Sequence, residues 1–365
     1  MRLQQLSPPL DPAFVALLAE INVRTDTDLL LGADSTQLFA RLPDGHGLSL
    51  RAFRDHVQHA TTLAAAQPEF GDAVFAREQA LKADAQFAED PEVGTGIPAL
   101  DELLGGGFAP PVVVEVSGDT GSGKTARTSP LTLALQVAAR HLARARSSSV
   151  LWIDTSSEFA PERVARMLDA LGGPHVETAL DRLQVSLAFD LDAVHALLEA
   201  LRQALAAAPH RRAASPEYDA RAPDDDAARP PRVLVLDAAT PLLGPLLSAT
   251  SSHGHAVMAT LMRQLREFAR AFALTVLIVN GASRVAPKDP AATNPEAAFA
   301  TGRKPALGPS FTFMADATVW LSRREREGVQ EDGGTVHVAE VLRSRAVTSK
   351  TWAPFKILDG VMVPL

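Results

Sequence analysis

The feature that most constrains the fold is the octapeptide GDTGSGKT at 118–125, which follows the apolar run PVVVEVS and precedes a long amphipathic stretch. It matches the pattern G-x-x-x-x-G-K-[ST] at every position. In such a loop the glycines let successive backbone N–H groups converge on a phosphate, the lysine reaches phosphate oxygens, and the hydroxyl binds Mg²⁺. A plain glycine-rich turn is the alternative, but a strand pattern before the motif and a helix pattern after it are both present. The octapeptide therefore predicts a nucleotide-binding α/β core.

Short β-branched runs alternate with long amphipathic stretches in the rest of the core. The runs are VVVEVS (112–117), VLWID (150–154), LQVSLA (183–188), VLVLD (233–237) and LTVLIVN (274–280). Nearly continuous apolar strands separated by helices indicate a mostly parallel sheet that helices cover on both faces. We therefore assign residues 93–365 to this α/β core.

The N-terminal part of the chain has a different pattern. Apolar side chains at helical spacing predict a small helical domain over 1–66, and the Ala-rich residues 67–92 are expected to form a linker with at most one helical segment. Two segments inside the core are too polar and too rich in proline to be buried. We expect 208–232 to be a disordered surface insertion and 281–308 to be a long loop, either disordered or functional.

Composition excludes several classes of protein. The chain has no cysteine, so disulfides, thiolate metal sites and cysteine nucleophiles are ruled out. The N-terminus lacks the apolar stretch of a secretory signal, and no run approaches the roughly 20 apolar residues of a membrane span, so we expect a soluble protein without a membrane partner. The net charge of −8 means that nucleic acid would have to bind through a local basic surface.

The run VLVLD ends in Asp237, which places a carboxylate at the end of a buried strand. Such a carboxylate commonly holds the Mg²⁺ of a P-loop nucleotide through water. An aspartate that caps the following turn is the alternative. Because the P-loop motif is present in the same chain, we favour the magnesium role.

Five segments, in this order, resemble the ATPase core of the RecA-type eukaryotic recombinases. They are GTGIPALDELLGGG (94–107), VLWIDTSSEFAPERV (150–164), VLVLDAATPLL (233–243), LIVNGASR (277–284) and RKPALGPSF (303–311). RLQVSLAFDLDAVHALLEALR (182–202) and EINVRTDTDLL (20–30) look most like the delta branch of the recombinase paralogues. The resemblance covers almost the whole chain and implies a RecA-like P-loop ATPase core with a small N-terminal helical domain.

This resemblance implies an ATP-binding recombinase paralogue in the nucleus. Such a protein would be one subunit of a hetero-oligomer with other paralogues, and would assist recombinase filaments on single-stranded DNA in homologous recombination and double-strand break repair. An autonomous DNA-dependent ATPase that forms its own filament is one alternative. A small-molecule P-loop phosphotransferase is another, but it would need an acceptor site and a lid with paired arginines, which the long loops lack.

Position by position, the resemblance also implies the ligands of ATP and Mg²⁺. The residues that would bind the phosphates are Gly118, Asp119, Thr120, Gly121, Ser122, Gly123, Lys124 and Thr125. Thr125 and Asp237 would bind Mg²⁺, and Arg163 would stack on the adenine, where a guanidinium and a purine ring attract each other. Without the resemblance, Arg163 would be interpreted as an ordinary solvated helix residue.

Two departures from the family pattern bear on catalysis. Active recombinases have a glutamate directly after the sequence I-D-T to align the attacking water, whereas this chain has Ser156 there and Glu158 two residues later. The polar sensor that follows the asparagine in the family is here Gly281, so Asn280 is expected to lack a neighbour that could report the γ-phosphate. We therefore assign no catalytic residue and expect at most slow ATP hydrolysis.

In the family, two loops after these strands hold single-stranded DNA. The first loop here, 241–257, contains no lysine or arginine. The second offers Arg284, Lys288, Arg303 and Lys304 as DNA-binding candidates, opposed by two acidic residues. A groove that follows a phosphate backbone needs several cations, so we expect the protein alone to bind DNA weakly.

Two local features add further predictions. Phe70 and Ala73 form a Phe-x-x-Ala sequence similar to the element with which family members dock on a neighbour's sheet; a plain Ala-rich linker is the alternative. Pro130 lies inside the helix expected after the P-loop, where proline removes a backbone donor. We therefore expect that helix to kink or to be interrupted near Ser129.

Overall fold

The computed structural model describes most of the chain. The described residues are 3–6, 8–65, 68, 70–86, 93–118, 130–146, 149–213, 231–248, 252–284, 303–323 and 336–365, and the side chains of 5, 78, 81–86 and 206–213 are not among them. The chain divides into two compact units. Unit 1 comprises Met1–Arg77 and Pro245–Gln264, and unit 2 comprises Glu78–Gly244 and Leu265–Leu365.

The N-terminal part of unit 1 is built from short helices. They are α1 (Pro12–Glu20), α2 (Asp26–Leu31), α3 (Ser35–Ala40), α4 (Leu50–Ala64) and the first half of α5 (Gly71–Gln86). Side-chain caps start the first four: Asp11 accepts the N–H of Ala13 at 2.9 Å, and Thr25 forms a capping box with Asp28. The side chains of Asp34 and Ser49 accept backbone N–H groups at the starts of α3 and α4. The local sequence therefore sets each helix start.

A small aromatic core holds these helices together. The ring of Phe53 lies edge-on to Phe14 and to Phe39, each at 5.6 Å between centroids. Leu18 and Leu38 are buried beside these rings. The helical pattern read from the sequence is present here, and helix α5 occupies much of the segment that the sequence assigned to a linker.

Unit 1 also contains a distant stretch of chain, Pro245–Gln264, which the sequence did not predict. It includes the first part of α11 (His253–Phe272). The hydroxyls of Thr27 and Thr260 are 3.0 Å apart, and the carboxylate of Asp26 lies 3.6 Å from the guanidinium of Arg263.

Unit 2 is organised around one large sheet and a small ribbon. The strands are β1 (Val112–Gly118), β2 (Ser149–Asp154), β3 (Leu183–Leu187), β4 (Pro231–Asp237), β5 (Thr275–Asn280), β6 (Ala282–Arg284), β7 (Arg303–Pro305), β8 (Ala317–Arg323), β9 (His337–Ser344), β10 (Thr351–Leu358) and β11 (Val361–Pro364). Nine of them form the sheet in the order β11-β10-β9-β8-β1-β5-β4-β2-β3, and β6 pairs with β7 in the ribbon.

The centre of the sheet is parallel, as the sequence predicted. Strands β8, β1, β5, β4, β2 and β3 run in one direction, and β9, β10 and β11 add an antiparallel end. The β-branched runs explain this arrangement, because strands buried on both faces can be apolar at successive positions. The predicted α/β class is therefore confirmed, and the antiparallel end is an addition to it.

Helices connect the strands. They are α6 (Pro98–Leu103), α7 (Pro130–Arg144), α8 (Pro161–Leu171), α9 (Leu191–Ala213), α10 (Ala239–Leu243), α11, which ends in this unit, and α12 (Gly308–Met314). Helix α7 packs against β1, β5 and β11 through a face that is almost wholly buried. Of the helices that the structure describes, none has the length and apolarity needed to cross a membrane.

The described part of α7 starts at Pro130. The kink or interruption predicted near Ser129 falls outside the described residues and stays a prediction. Helix α9 extends to Ala213 and β4 begins at Pro231, so both ends of the predicted insertion 208–232 have regular structure. Residues 214–230 lie outside the described part of the chain.

Candidate nucleotide site and neighbouring surfaces

The ends of four neighbouring parallel strands meet at one edge of the sheet. Because β1, β5, β4 and β2 are consecutive and parallel, the edge collects Gly118, Asn280, Asp237 and Asp154 from their carboxyl ends. Ligand sites of open α/β sheets lie at this edge. The sequence-predicted residues Gly118 and Asp237 are therefore on the same side of the sheet.

Gly118 is required by the packing of β1 on β8. A Cβ atom at this position would lie 2.6 Å from the backbone oxygen of Leu321 and 2.8 Å from its Cβ, which is closer than real side chains approach. The first glycine of the P-loop motif is thus fixed by its strand neighbour. The other predicted phosphate ligands, Asp119 to Thr125, lie outside the described residues.

Asp237 is a buried carboxylate with an altered proton affinity. It is 7% exposed, and burial raises the pKa of its carboxyl from 3.8 to about 6. The negative charges of Asp154 and Glu158 act in the same direction, whereas the positive charge of Arg163 opposes them. A carboxylate in this setting gains from any cation that is brought next to it.

Asp154 lies at the candidate site, but its carboxylate has a structural role. Its Oδ1 accepts the N–H groups of Ser156 at 2.9 Å and Ser157 at 2.8 Å, and its Oδ2 accepts the N–H of Phe159 at 3.0 Å. Burial alone would raise its pKa, but these backbone donors outweigh burial and hold the pKa of the Asp154 carboxyl below its usual value. Asp154 therefore builds the turn after β2.

Ser156 occupies the position of the family's water-aligning glutamate and belongs to this turn. Its hydroxyl lies 3.3 Å from Oδ1 of Asp154. Next to it, Thr155 donates its hydroxyl to the backbone oxygen of Ala238 at 2.9 Å and accepts the N–H of Ala238 at 2.8 Å. The turns after β2 and β4 are joined by these bonds.

Arg163 lies in the first turn of α8, close enough to the site for its charge to lower the pKa of Asp237. Its side chain is half-buried. The role on adenine that the resemblance implied stays a prediction, but the position of Arg163 beside Asp237 is compatible with it.

The neighbours of Asn280 were missed by sequence reasoning. The sequence predicted that Asn280 lacks a neighbour that could report the γ-phosphate, and that stays a prediction; it did not predict that the hydroxyl of Thr240 donates to Oδ1 of Asn280 at 2.8 Å. The amide nitrogen of Asn280 donates to the buried Glu115 at 2.6 Å. The single signal that could have found this group is an ionisable residue, Glu115, inside an otherwise apolar run.

The DNA-binding candidates lie on the β6–β7 ribbon. Arg284 faces Arg303 across the two strands, and Lys304 pairs with Ser283. Arg284 is exposed, while Arg303 and Lys304 are half-buried. Lys288, the remaining candidate, lies outside the described residues.

Two surfaces carry exposed apolar side chains. In unit 1, Phe70 is 84% exposed and Ala73 is also exposed, so the Phe-x-x-Ala sequence is accessible. In unit 2, β3 is an edge strand, and Val185, Leu187 and Phe189 on or beside it are exposed. Edge strands with apolar side chains are places where another chain can pair.

Among the described residues at this sheet edge, Asp237 is a buried carboxylate that could take part in binding a cation. Within the described residues, no group of three or more histidine, aspartate or glutamate side chains is placed to hold a metal ion. A cation at Asp237 would therefore need phosphate or water oxygens to complete its shell, which is how Mg²⁺ commonly binds. A cation beside Asp237 would stabilise its ionised form and so oppose the burial that raises its pKa.

The mostly parallel sheet between helices, with the P-loop motif in the sequence after β1 and an aspartate at the end of β4, is a RecA-like α/β fold. A solved structure titled the RadB recombinase has this fold: the TM-score is 0.51, with 21% sequence identity over 75% of this chain and 99% of that chain. At that identity the match shows the fold alone.

The sequence comparisons point to one family. Residues 89–212 match the family model described as Rad51. The chain is 30% identical over 239 residues to the DNA repair protein RAD51 homolog 4 of Bos taurus and 29% identical over 240 residues to that of Mus musculus. These matches cover 65% of this chain and 63% and 62% of the relatives, so the chain spans less than two thirds of their length.

A shorter match supports the same family. Over 80 residues, the chain is 40% identical to the DNA repair and recombination protein RadB of Thermococcus onnurineus, covering 22% of this chain and 31% of that protein. The chain is thus similar to RecA-type recombinases of the Rad51 family.

Proposed function

We propose that this chain is an ATP-binding recombinase paralogue of the Rad51 family, of the delta branch. It acts in the nucleus as one subunit of a hetero-oligomer with other paralogues. The complex assists recombinase filaments on single-stranded DNA in homologous recombination and double-strand break repair. The names of the relatives, which are DNA repair proteins, support this assignment.

The observation that carries the proposal is Asp237 at the end of β4, on the same sheet edge as the P-loop motif. Its carboxyl has a pKa of about 6 because burial and two negative neighbours disfavour ionisation. A divalent cation would reverse that preference. Asp237 and Thr125 would hold Mg²⁺, residues 118–125 would hold the phosphates, and Arg163 would contact the base.

Bound ATP and Mg²⁺ would supply a charged group at the subunit surface. The chain's own residues bind and orient that group: backbone N–H groups and Lys124 by attraction to the phosphates, and Asp237 through the cation. Slow hydrolysis is expected because Ser156, whose hydroxyl is engaged with Asp154, stands where the family has its water-aligning glutamate. We therefore propose that ATP serves mainly to hold a conformation and an interface.

Assembly with another paralogue is supported by the two exposed apolar surfaces. Phe70 and Ala73 present a small motif that an apolar pocket on a partner could bind, and β3 is paired on one side only among the strands that the structure describes. A head-to-tail contact needs two different surfaces of this kind on each subunit. DNA binding by the chain alone is weak in this proposal, because the described basic candidates are few.

Nucleotide binding is tested by thermal unfolding with and without magnesium and ATP. We expect ATP to raise the melting temperature of the wild type and to have no effect on Lys124→Ala, because the loop loses its cation. Lys356→Ala, which removes a lysine from β10, is the control and should respond like the wild type. Equal stabilisation of the Lys124→Ala variant would contradict the site.

Assembly is tested by co-purification with the other paralogues. Phe70→Glu should abolish recovery of the docking partner, because it places a charge where an aromatic ring must enter an apolar pocket. Phe75→Glu is the control, since Phe75 is also exposed on α5 but lies outside the motif. ATP turnover as fast as that of a filament-forming recombinase would instead favour the autonomous ATPase.

A further inference from the structure

The backbone directly after the Asp237 side chain is held by one residue from the turn after β2. The N–H of Thr155 donates to the backbone oxygen of Asp237 at 2.7 Å. The hydroxyl of Thr155 donates to the backbone oxygen of Ala238 at 2.9 Å and accepts the N–H of Ala238 at 2.8 Å. Three consecutive backbone groups next to this carboxylate therefore bind Thr155.

The local sequence after Asp237 offers no replacement for the Thr155 hydroxyl. Ala238 is the N-cap residue of α10, and in a capping box the side chain three positions later accepts the N–H of the N-cap residue. That position is Pro241, whose side chain has no acceptor. Thr155 accepts this N–H instead, and at 5% exposure its surroundings leave little access for water.

The turn that carries Thr155 is itself firmly held. Three backbone N–H groups of the turn bind the carboxylate of Asp154, the residue before Thr155. The backbone oxygen of Asp154 accepts the N–H of Ala188 at 2.9 Å, beside the end of β3. Asp154 and Asp237 are also paired in register. Thr155 is thus a fixed point to which the backbone at 237 and 238 is tied.

A fixed backbone fixes the direction in which a side chain leaves it. With the backbone at 237 and 238 held, the carboxylate of Asp237 has only its side-chain torsions left to vary, and these occupy a few preferred values. Groups that hold a metal ligand in place commonly change metal affinity about 10–100-fold when they are removed. The Thr155 hydroxyl stands in this relation to Asp237.

We propose that Thr155 is a positioning residue for Asp237, and that its hydroxyl sets how strongly the Asp237 carboxylate binds the magnesium of a bound nucleotide. The inference rests on the proposed function, because it concerns how that site binds its cation. A merely structural role would lower the stability of the protein without a specific effect on the cation, so the two roles predict different measurements.

The test measures the affinity for a fluorescent ATP analogue in magnesium and in EDTA. The ratio of the two affinities, which we call the magnesium gain, reports the cation site and cancels any damage common to both conditions. The wild-type gain should be about tenfold or more. Thr155→Val keeps the shape of the side chain without its hydroxyl; it should lower the gain about tenfold and leave the affinity in EDTA within about twofold of the wild type.

Three further variants serve as controls. Thr155→Ser retains the hydroxyl, so its gain should stay within about twofold of the wild type. Thr275→Val also loses one buried hydrogen bond, the one that the Thr275 hydroxyl donates to the backbone oxygen of Phe108 at 3.0 Å, but it should keep the wild-type gain. Thr155→Ala leaves room for a water and serves if Thr155→Val does not fold; its gain should fall about threefold or more.

A double variant tests whether Thr155 acts through Asp237. In Asp237→Asn the carboxylate that the hydroxyl positions is already lost, so adding Thr155→Val should change the magnesium gain by less than about twofold. A further fall of about tenfold in the double variant would mean that Thr155 affects the cation by another route, and it would overturn the positioning role.

The remaining outcomes separate this inference from the function on which it rests. A wild type that does not bind the analogue, or binds it equally well in magnesium and in EDTA, would overturn the proposed site and this inference with it. A normal wild-type gain that Thr155→Val retains would overturn the positioning role alone. Equal losses of affinity in both conditions, or a Thr155→Ser variant as impaired as Thr155→Val, would have the same consequence.

Discussion

Asp154 and Asp237 occupy paired register positions at the ends of β2 and β4, yet their environments have opposite effects. Three backbone N–H groups hold Asp154 in its ionised form and lower its pKa. At Asp237 burial is the largest influence, and it raises the pKa to about 6. The difference shows that hydrogen-bond donors, rather than depth in the protein, decide whether a strand-end carboxylate is structural or available for a cation.

The largest expected effect comes from removing the structural carboxylate. Asp154→Ala leaves the N–H groups of Ser156, Ser157 and Phe159 without their acceptor, which should lower the free energy of unfolding by about 3 kcal/mol. Urea unfolding measures this change. Asp169→Ala, at an exposed position on α8, should change stability by less than about 0.5 kcal/mol. Equal stability of the two variants would show that the turn does not need Asp154.

Replacing the Asp237 carboxylate is expected to raise the stability of the protein rather than lower it. The folded-state pKa of Asp237 is raised from 3.8 to about 6, so folding favours its protonated form, and stability is lost as the pH rises through this window. Asp237→Asn should therefore stabilise the nucleotide-free protein by about 3 kcal/mol at pH 8, and much less at pH 4. Thermal unfolding at both pH values tests this, and a less stable variant at pH 8 would contradict the burial argument.

The raised pKa of Asp237 also predicts how pH affects the binding of magnesium with ATP. A cation needs the ionised carboxylate, and at pH 5 only about a tenth of Asp237 is ionised, so binding of magnesium with ATP should weaken about tenfold between pH 7 and pH 5. ATP itself also titrates in this range. In the Asp237→Asn variant, the titration of ATP should be the remaining cause of pH dependence. Identical pH profiles for the variant and the wild type would show that Asp237 does not bind the cation.

The smallest effect is expected at Ser156. Its hydroxyl is 3.3 Å from Asp154, a long contact, and the backbone N–H of the same residue makes the shorter bond. Ser156→Ala should therefore change the free energy of unfolding by less than about 0.5 kcal/mol and leave ATP turnover unchanged. A large fall in turnover would give Ser156 a catalytic role that we do not assign to it.

Sequence reasoning was most successful where the signal is local. The runs that end at Asp154, Asp237 and Asn280 are strands in the structure, and apolar runs of that kind are typical of a parallel sheet. Asp237 was selected because it ends such a run. The P-loop residues after Gly118 stay a sequence prediction, since they lie outside the described residues.

The parts that the sequence did not reveal depend on distant partners. Asp154 has the same local signature as Asp237, and only the direction of three N–H groups separates their roles. Glu115 is bonded by residues 165 and 203 positions away, and the order of the strands decides which side chains those are. No local pattern contains that information.

The participation of α11 in unit 1 has a consequence for the order in which the chain folds. Thr27 and its partner Thr260 are 233 positions apart, and both belong to the same compact unit. During synthesis the N-terminal helices can form early, but their unit is complete only after residue 264 has left the ribosome. The usual order of folding, in which an N-terminal domain finishes folding before the next domain begins, does not apply to this chain. A fragment that ends at Arg77 would therefore lack the contacts that α11 provides.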